Sequence, residues 1–381
     1  MKRKKQHYVP KFYLKNFTDN NFLCIYNIEK DEIITNAYFE SQCYKKYYYG
    51  EDGTWEELLG KYEKEWAKLF RDIIGNSKYI LNDDEKSLIK QFSIIQLIRT
   101  PSREKFFKEV AWESFKVPYE MQLKKEKIPI SKELLEYSKK HFDTEYMQNI
   151  PKQNLEEYEE YLEHIEDLSV CILEYTCNTK LISSDNPIMK YNNFITTSLG
   201  FRNAGLVLFF PINSEKLIVI FDEKMYPKYK DKQYYKINNS KEVEAINSFI
   251  YTSADKIVFY KDAKYNIKSV MKKYKKSRDE YVALMKPYAI GTEFDKYIMT
   301  REPIIPLDYD FSFSKVRERA RKFNAPEIDW FPRKSDKEYI ERIKNRKIIV
   351  NNKIIKEMNE FNLKKLKEFN RFIYDFWDDR L

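Results

Sequence analysis

Leu206-Val207-Leu208-Phe209-Phe210-Pro211, followed across residues 212–215 by Lys216-Leu217-Ile218-Val219-Ile220-Phe221, decides the fold class of this chain. Both runs are short, apolar and rich in branched or aromatic side chains, the pattern of a buried strand. Ser169–Tyr175 and Lys180–Ser183 upstream, and Lys256–Tyr260 downstream, read the same way, with a helix expected over Ser240–Ala254. Ahead of residue 169 the character differs. Phe22–Asn27 and Glu32–Ala37 predict a small hairpin turning at Glu29-Lys30-Asp31, but most of the rest is helical. Helices are expected from Thr54 to about Ile74, from Asp83 or Asp84 to about Arg99, from Thr100-Pro101 onward, and at about 131–142 and 154–168. Helices followed by a block of strands predict an α+β fold, a helical N-terminal half packed on a small mixed or antiparallel sheet.

Helix ends are partly written in the sequence. Thr54-Trp55-Glu56-Glu57 has the form of a capping box, and Gly75 suits a C-terminal stop. Thr100 before Pro101 pairs an N-cap residue with a proline in the first turn. Phe92-Ser93-Ile94-Ile95-Gln96-Leu97-Ile98 is apolar nearly all round and predicts a buried helix.

The chain has 381 residues, 43% of them hydrophobic, enough for a sizeable core. Only 7 are glycine, which disfavours linker-like and disordered classes. Cys24, Cys43, Cys171 and Cys177 form no CxxC pair, and reduced, structural thiols are expected. No apolar run reaches the ~18 residues of a membrane span, and no apolar core follows the basic Met1–Lys5 start. A cytoplasmic protein without membrane partners is the expectation. The net charge is +9, and all of the excess falls after residue 260. Two regions follow: a core domain, residues 1–260, and a basic, mostly helical C-terminal region, residues 261–381, with Arg301–Pro306 as the best internal linker.

Blocks along the first region carry a resemblance. They are His7-Tyr8-Val9-Pro10 with Tyr13-Leu14 and Phe17, a Glu-bearing helix around Glu63, Gln96-Leu97-Ile98-Arg99-Thr100, Ile182-Ser183-Ser184-Asp185-Asn186-Pro187, Phe210-Pro211-Ile212, and Asn247 to Tyr251. In order and spacing the chain resembles the bacterial domain-of-unknown-function family 4238 over about residues 6–260. The resemblance implies a setting in antiphage defence, because some relatives look like single-gene defence systems.

The residues that could carry chemistry lie in these blocks. His7 is one of 3 histidines, suited to proton transfer near neutral pH or to metal binding. His141 and His164 lie on charged helices and are expected to be exposed. Gln96 and Arg99 share one face of a buried helix, with Arg103 a turn further on. A buried Arg99 needs a carboxylate such as Glu63 or an anionic ligand such as phosphate. Asp185 and Asn186 follow a strand end, where a carboxylate can be presented to a metal or can instead form an Asx turn.

Two functions compete. In the first, His7, Glu63, Gln96, Arg99, Asp185 and Asn186 line a cleft that cleaves a phosphodiester. Asp185 and Glu63 hold Mg²⁺ or Mn²⁺, Arg99 neutralises phosphate charge and His7 moves a proton. In the second the same residues form a structural network, and the protein binds nucleic acid or a phage component without turnover. A third, weaker reading is hydrolysis or transfer at a nucleotide gripped by Arg99. Lys272, Lys273, Lys275, Lys276, Arg317 and Arg321, interleaved with aromatics, are the candidate nucleic-acid contacts. A stripe from Leu363 to Phe376 predicts docking on the body or on a second copy. No phosphate-binding Gly-rich loop, zinc-spaced Cys/His set, HExxH or GxSxG is present.

Overall fold

The computed structural model describes residues 4–147, 150–193, 200–226, 229, 232–291, 296–299, 305, 309, 311–314 and 333. Arg317, Arg321 and the Leu363–Phe376 stripe lie outside them. Strand β1 (Lys5–His7) leads into helix α1 (Lys11–Lys15), the hairpin β2 (Phe22–Asn27) and β3 (Glu32–Tyr38), and β4 (Tyr44–Lys46). Helices α2 (Thr54–Gly75), α3 (Asp83–Ile98), α4 (Pro101–Lys125), α5 (Lys132–Tyr146), α6 (Ile150–Glu156) and α7 (Tyr158–Glu163) follow. Then come β5 (Ser169–Tyr175), β6 (Ser183–Ser184), β7 (Met189–Tyr191), β8 (Val207–Pro211), β9 (Lys216–Phe221), β10 (Tyr234–Ile237), α8 (Ser240–Ser253), β11 (Ile257–Tyr260), α9 (Ile267–Leu284), β12 (Tyr288–Gly291) and β13 (Lys296–Met299). The fold is α+β.

The main sheet has the order β10-β5-β9-β8-β7, antiparallel except for the parallel β10–β5 pair. Both of its faces are buried. Ile172, Leu208, Phe210, Ile218 and Ile220 point to a core shared with Trp66, Phe70 and Phe92 of α2 and α3. Their neighbours Leu173, Phe209, Leu217 and Val219 point to a second core with Val243, Ile246 and Phe249 of α8. Two-sided burial explains why these strands read as continuous apolar runs rather than alternating ones. The second sheet, β3-β2-β11-β6, joins the N-terminal hairpin to the strand after α8.

Most expected elements recur, with instructive differences. The cap of α2 is Gly53, with φ of 76°, and Thr54 makes no capping box; Asp52 accepts from the Thr54 N–H instead. The reciprocal box occurs one helix later, between Asn82 and Glu85 at the start of α3. The single helix expected over 154–168 is two short ones, α6 and α7. Strands β1, β4, β7, β10, β12 and β13 are additions to the expected elements.

The C-terminal region is continuous with the core at the places described. Phe311 and Phe313 are fully buried in the second core beside Phe209 and Phe249. Ile305, inside the expected linker, is also buried. Helix α9 faces α8 with Ile267, Met271, Tyr274, Arg278 and Tyr281, spaced three or four apart. Arg278 donates to the carbonyls of Tyr251, Thr252, Ala254 and Asp255 at the end of α8, where a cation complements the helix dipole. Lys216 does the same for α2, donating to Ile73 O at 2.7 Å, Ile74 O at 3.0 Å and Asn76 O at 2.7 Å.

Candidate functional site

The N-terminal segment is held by an aromatic anchor. Tyr13 is fully buried against Phe17, Phe92 and Phe259. Its hydroxyl bonds Pro211 O at 2.5 Å and Ser183 Oγ at 2.9 Å, tying α1 to the ends of β8 and β6. That places His7, Tyr8 and Val9 over the C-terminal end of α3.

Arg99 sits there with 0% exposure. Its Nε and Nη2 both donate to Gln96 Oε1, and its Nη1 donates to Glu63 Oε1 at 3.1 Å. Gln96 Nε2 donates to Tyr8 O at 2.9 Å. Tyr49 lies beside Arg99 and donates its hydroxyl to His7 O at 3.2 Å. Gln6 extends the chain of bonds, donating to Gly50 O and accepting from Tyr49 N–H. Glu63 is the counter-charge and Gln96 the spacer. The expected neighbourhood of His7, Glu63, Gln96 and Arg99 therefore exists, with the Arg99 guanidinium and the Gln96 amide engaged by Glu63, by each other and by the backbone.

His7 is buried, and its Nε2–H donates to Glu40 O at 3.2 Å. Burial, with the nearby cations Lys11 and Arg99, lowers its pKa to about 4. It is neutral at physiological pH and too weak a base to hold a proton there. His164, expected to be exposed, is buried at the end of α7 and accepts from Arg202. Its pKa is also lowered to about 4, first by burial and then by the Arg202 charge.

Asp185 is 1% exposed. Its Oδ1 accepts from Asp255 N–H at 2.8 Å, and its Oδ2 from Lys256 N–H at 2.7 Å and Ile257 N–H at 3.1 Å. Burial and the charge of Asp255 push its pKa up to about 6, against the pull of those three donors. Asn186 donates to Ser253 O at 3.0 Å. The Ser184–Pro187 turn thus clamps the junction between α8 and β11. Tyr8 and Cys43 lie between this clamp and the Arg99 network, both under the influence of the Asp185 charge.

These residues do not suit Mg²⁺ or Mn²⁺. Both Asp185 oxygens face backbone donors, and Glu63 faces Arg99. Hard divalent cations require several oxygen ligands around one point. Among the described residues no group of three or more His, Cys, Asp or Glu side chains is arranged to hold a metal.

The described residues include two concave places. One, of about 60 Å³, is lined by Thr100, Ser102, Arg103, Asn186, Lys190 and Tyr281 among others. The second, of about 490 Å³, is an open groove at the start of α9 lined by Lys180, Lys264, Lys273, Tyr265 and Tyr274 together with Glu244 and Asp262. Of the predicted residues, Asn186 faces the first and Lys273 the second; His7, Glu63, Gln96, Arg99 and Asp185 face neither. Lys272, Lys273, Lys275 and Lys276 are all exposed on α9.

The sequence profile of a protein family of unknown function, DUF4238, matches residues 5–264. The chain belongs to this family. No curated protein and no solved structure matches it. The DUF4238 region takes in the Arg99 network, the Asp185 clamp and Lys190, and ends just before α9. Lys190 and Lys216 escaped the sequence reading, though a lysine inside an apolar strand is as costly as an arginine inside an apolar helix. Among the described residues no helix is long and apolar enough to cross a membrane, and all four cysteines are buried and free.

Proposed function

We propose that this DUF4238 protein acts by binding nucleic acid, in the antiphage setting that the family resemblance implies, with the Arg99 and Asp185 networks as scaffold. The groove at the start of α9 carries the reading. It sets three lysines and two tyrosines, with Glu244 and Asp262 among them, around one concave surface, and the exposed lysines of α9 extend its positive charge. Lysines neutralise phosphates and release counterions, and tyrosines offer stacking faces for unpaired bases. Lys273 lies over the Tyr274 ring at 5.0 Å, an arrangement that pairs charge with an aromatic platform. The engagement of Gln96, Arg99 and Asp185 by protein partners supports a scaffold role for them.

Fluorescence anisotropy with labelled single-stranded DNA and RNA across a salt series tests the proposal. Affinity is expected to fall steeply with salt. Lys272→Glu, Lys273→Glu, Lys275→Glu and Lys276→Glu together should flatten the slope by about one unit for each phosphate that is no longer neutralised. Affinity that ignores both salt and charge reversal would sink it. A parallel incubation with Mg²⁺ or Mn²⁺ is expected to leave the strands intact. Cleavage lost in folded His7→Ala and Asp185→Asn variants would instead assign phosphodiester chemistry to those residues.

A further inference from the structure

We infer that the groove at the start of α9 reads a single unpaired base, and that the base is guanine, held along its Watson–Crick edge by the Glu244 carboxylate. The inference rests on the nucleic-acid reading above and names the base chemistry that the groove prefers. Size supports one nucleotide unit, since about 490 Å³ lies within the ~300–1,000 Å³ of pockets for whole organic ligands.

The groove is not a plain phosphate track. Lys180, Lys264 and Lys273 share it with Glu244 and Asp262. Lys180 Nζ also pairs with Glu215 Oε1 at 2.7 Å, which offsets part of its charge. Carboxylates within such a surface repel phosphates, whereas an unpaired base offers them N–H groups. Phosphates then follow the exposed lysines of α9 while a base enters the groove. Phosphate contacts position the strand, and base contacts specify it.

The aromatic wall is fixed in advance. Tyr265 OH accepts from Asn247 Nδ2 at 2.9 Å, and its ring meets that of Tyr260 in a T-shape at 5.9 Å. The same amide nitrogen of the fully buried Asn247 donates to Lys180 O at 2.9 Å, so one side chain ties Tyr265 and Lys180 to α8. Asp262 Oδ1 accepts from Lys264 N–H at 2.9 Å and shapes the loop into α9. Glu244 is exposed on α8, and its charge acts on both Tyr265 and Lys273. A base stacked on a groove tyrosine thus has a carboxylate at its edge.

Carboxylate geometry selects the base. Two neighbouring acceptor oxygens match two neighbouring donors, and guanine has them in N1–H and the 2-amino group. Adenine and cytosine set a ring acceptor beside their amino group, and thymine and uracil flank one N–H with two carbonyls. A free guanine nucleotide and guanine within an unpaired strand share this chemistry.

Fluorescence anisotropy of the full chain with labelled oligothymidine, and with the same strand carrying one central guanine, adenine or cytosine, tests the inference. The guanine strand is expected to bind about tenfold more tightly than the others, the discrimination of one good bidentate pair. Inosine at that place lacks the 2-amino group and should lose most of the preference. In Glu244→Gln, where a carboxamide turns one acceptor into a donor, the preference should vanish. Displacement of the guanine strand by guanosine monophosphate identifies the free nucleotide as a sufficient ligand; displacement by guanine strands alone identifies a strand component. Equal affinity for every base, or a guanine preference that survives Glu244→Gln, overturns the inference and leaves salt-dependent strand binding standing. Binding that ignores salt removes both.

Discussion

Two nitrogens of Arg99 converge on a single oxygen of Gln96, Nε at 2.9 Å and Nη2 at 2.8 Å. A fork that closes on one acceptor is a matched pair, and Glu63 completes the charge balance from α2. An arginine kept free for substrate would not be tied down so fully by its own helix.

The first prediction follows from that pairing. Arg99→Met offers neither the planar fork nor the charge, so Gln96 and Glu63 are left under-satisfied. The variant should unfold at lower urea, with a loss of roughly 3–5 kcal/mol, the range for breaking a buried ion pair from one side. Equal stability would mean that Arg99 is held for another purpose.

Asp185→Asn replaces one acceptor oxygen with an amide that points N–H at N–H. A loss of about 2–3 kcal/mol is expected, the cost of leaving buried backbone donors unsatisfied. Millimolar Mg²⁺ or Mn²⁺ should not raise the thermal midpoint of the parent protein. A metal-dependent rise that vanishes in Asp185→Asn would return the metal role to this residue.

Acid should destabilise the fold in a definite window. His7 and His164 have pKa values of about 4 when folded, against an ordinary 6.5. As pH falls from about 6.5 to about 4, the unfolded chain takes up protons that the folded one refuses, so stability drops. Asp185 works the other way, since its folded pKa of about 6 exceeds the ordinary 3.8. Two losses against one gain leave a net decline. In His7→Gln the decline should be shallower, as read from urea midpoints between pH 7 and 4.5. Parallel profiles for parent and variant would contradict the burial argument.

Arg278→Met strips the donors from four carbonyls at the end of α8 while keeping the apolar stem against its neighbours. Amide exchange should quicken at residues 251–257, including the three N–H groups that bind Asp185. Exchange confined to α9 would show that the two helices open independently.

The sequence carried the class of fold because buried strands and amphipathic helices leave periodic marks. Phe92–Ile98 and Leu206–Phe221 are cases in which local pattern and tertiary burial agree. Short or tertiary-dependent features were less legible. Met189–Tyr191 becomes a strand through its register with Val207–Phe209, which no local pattern encodes. Thr54 lost its cap role because Gly53, in a left-handed turn, takes that position with Asp52 beside it. The pairing of Arg99 with Glu63 was readable from the cost of burying charge. The engagement of Asp185 was not, since its partners are backbone groups seventy or more residues away.

Adjacent residues on β8, Phe209 and Phe210, belong to different hydrophobic cores. A one-residue insertion or deletion in β8 or β9 would therefore not merely shift a strand. It would send every side chain after it to the opposite compartment and scramble both cores together. Length changes among relatives are expected outside these two strands, and Val207–Pro211 and Lys216–Phe221 should each keep their own length.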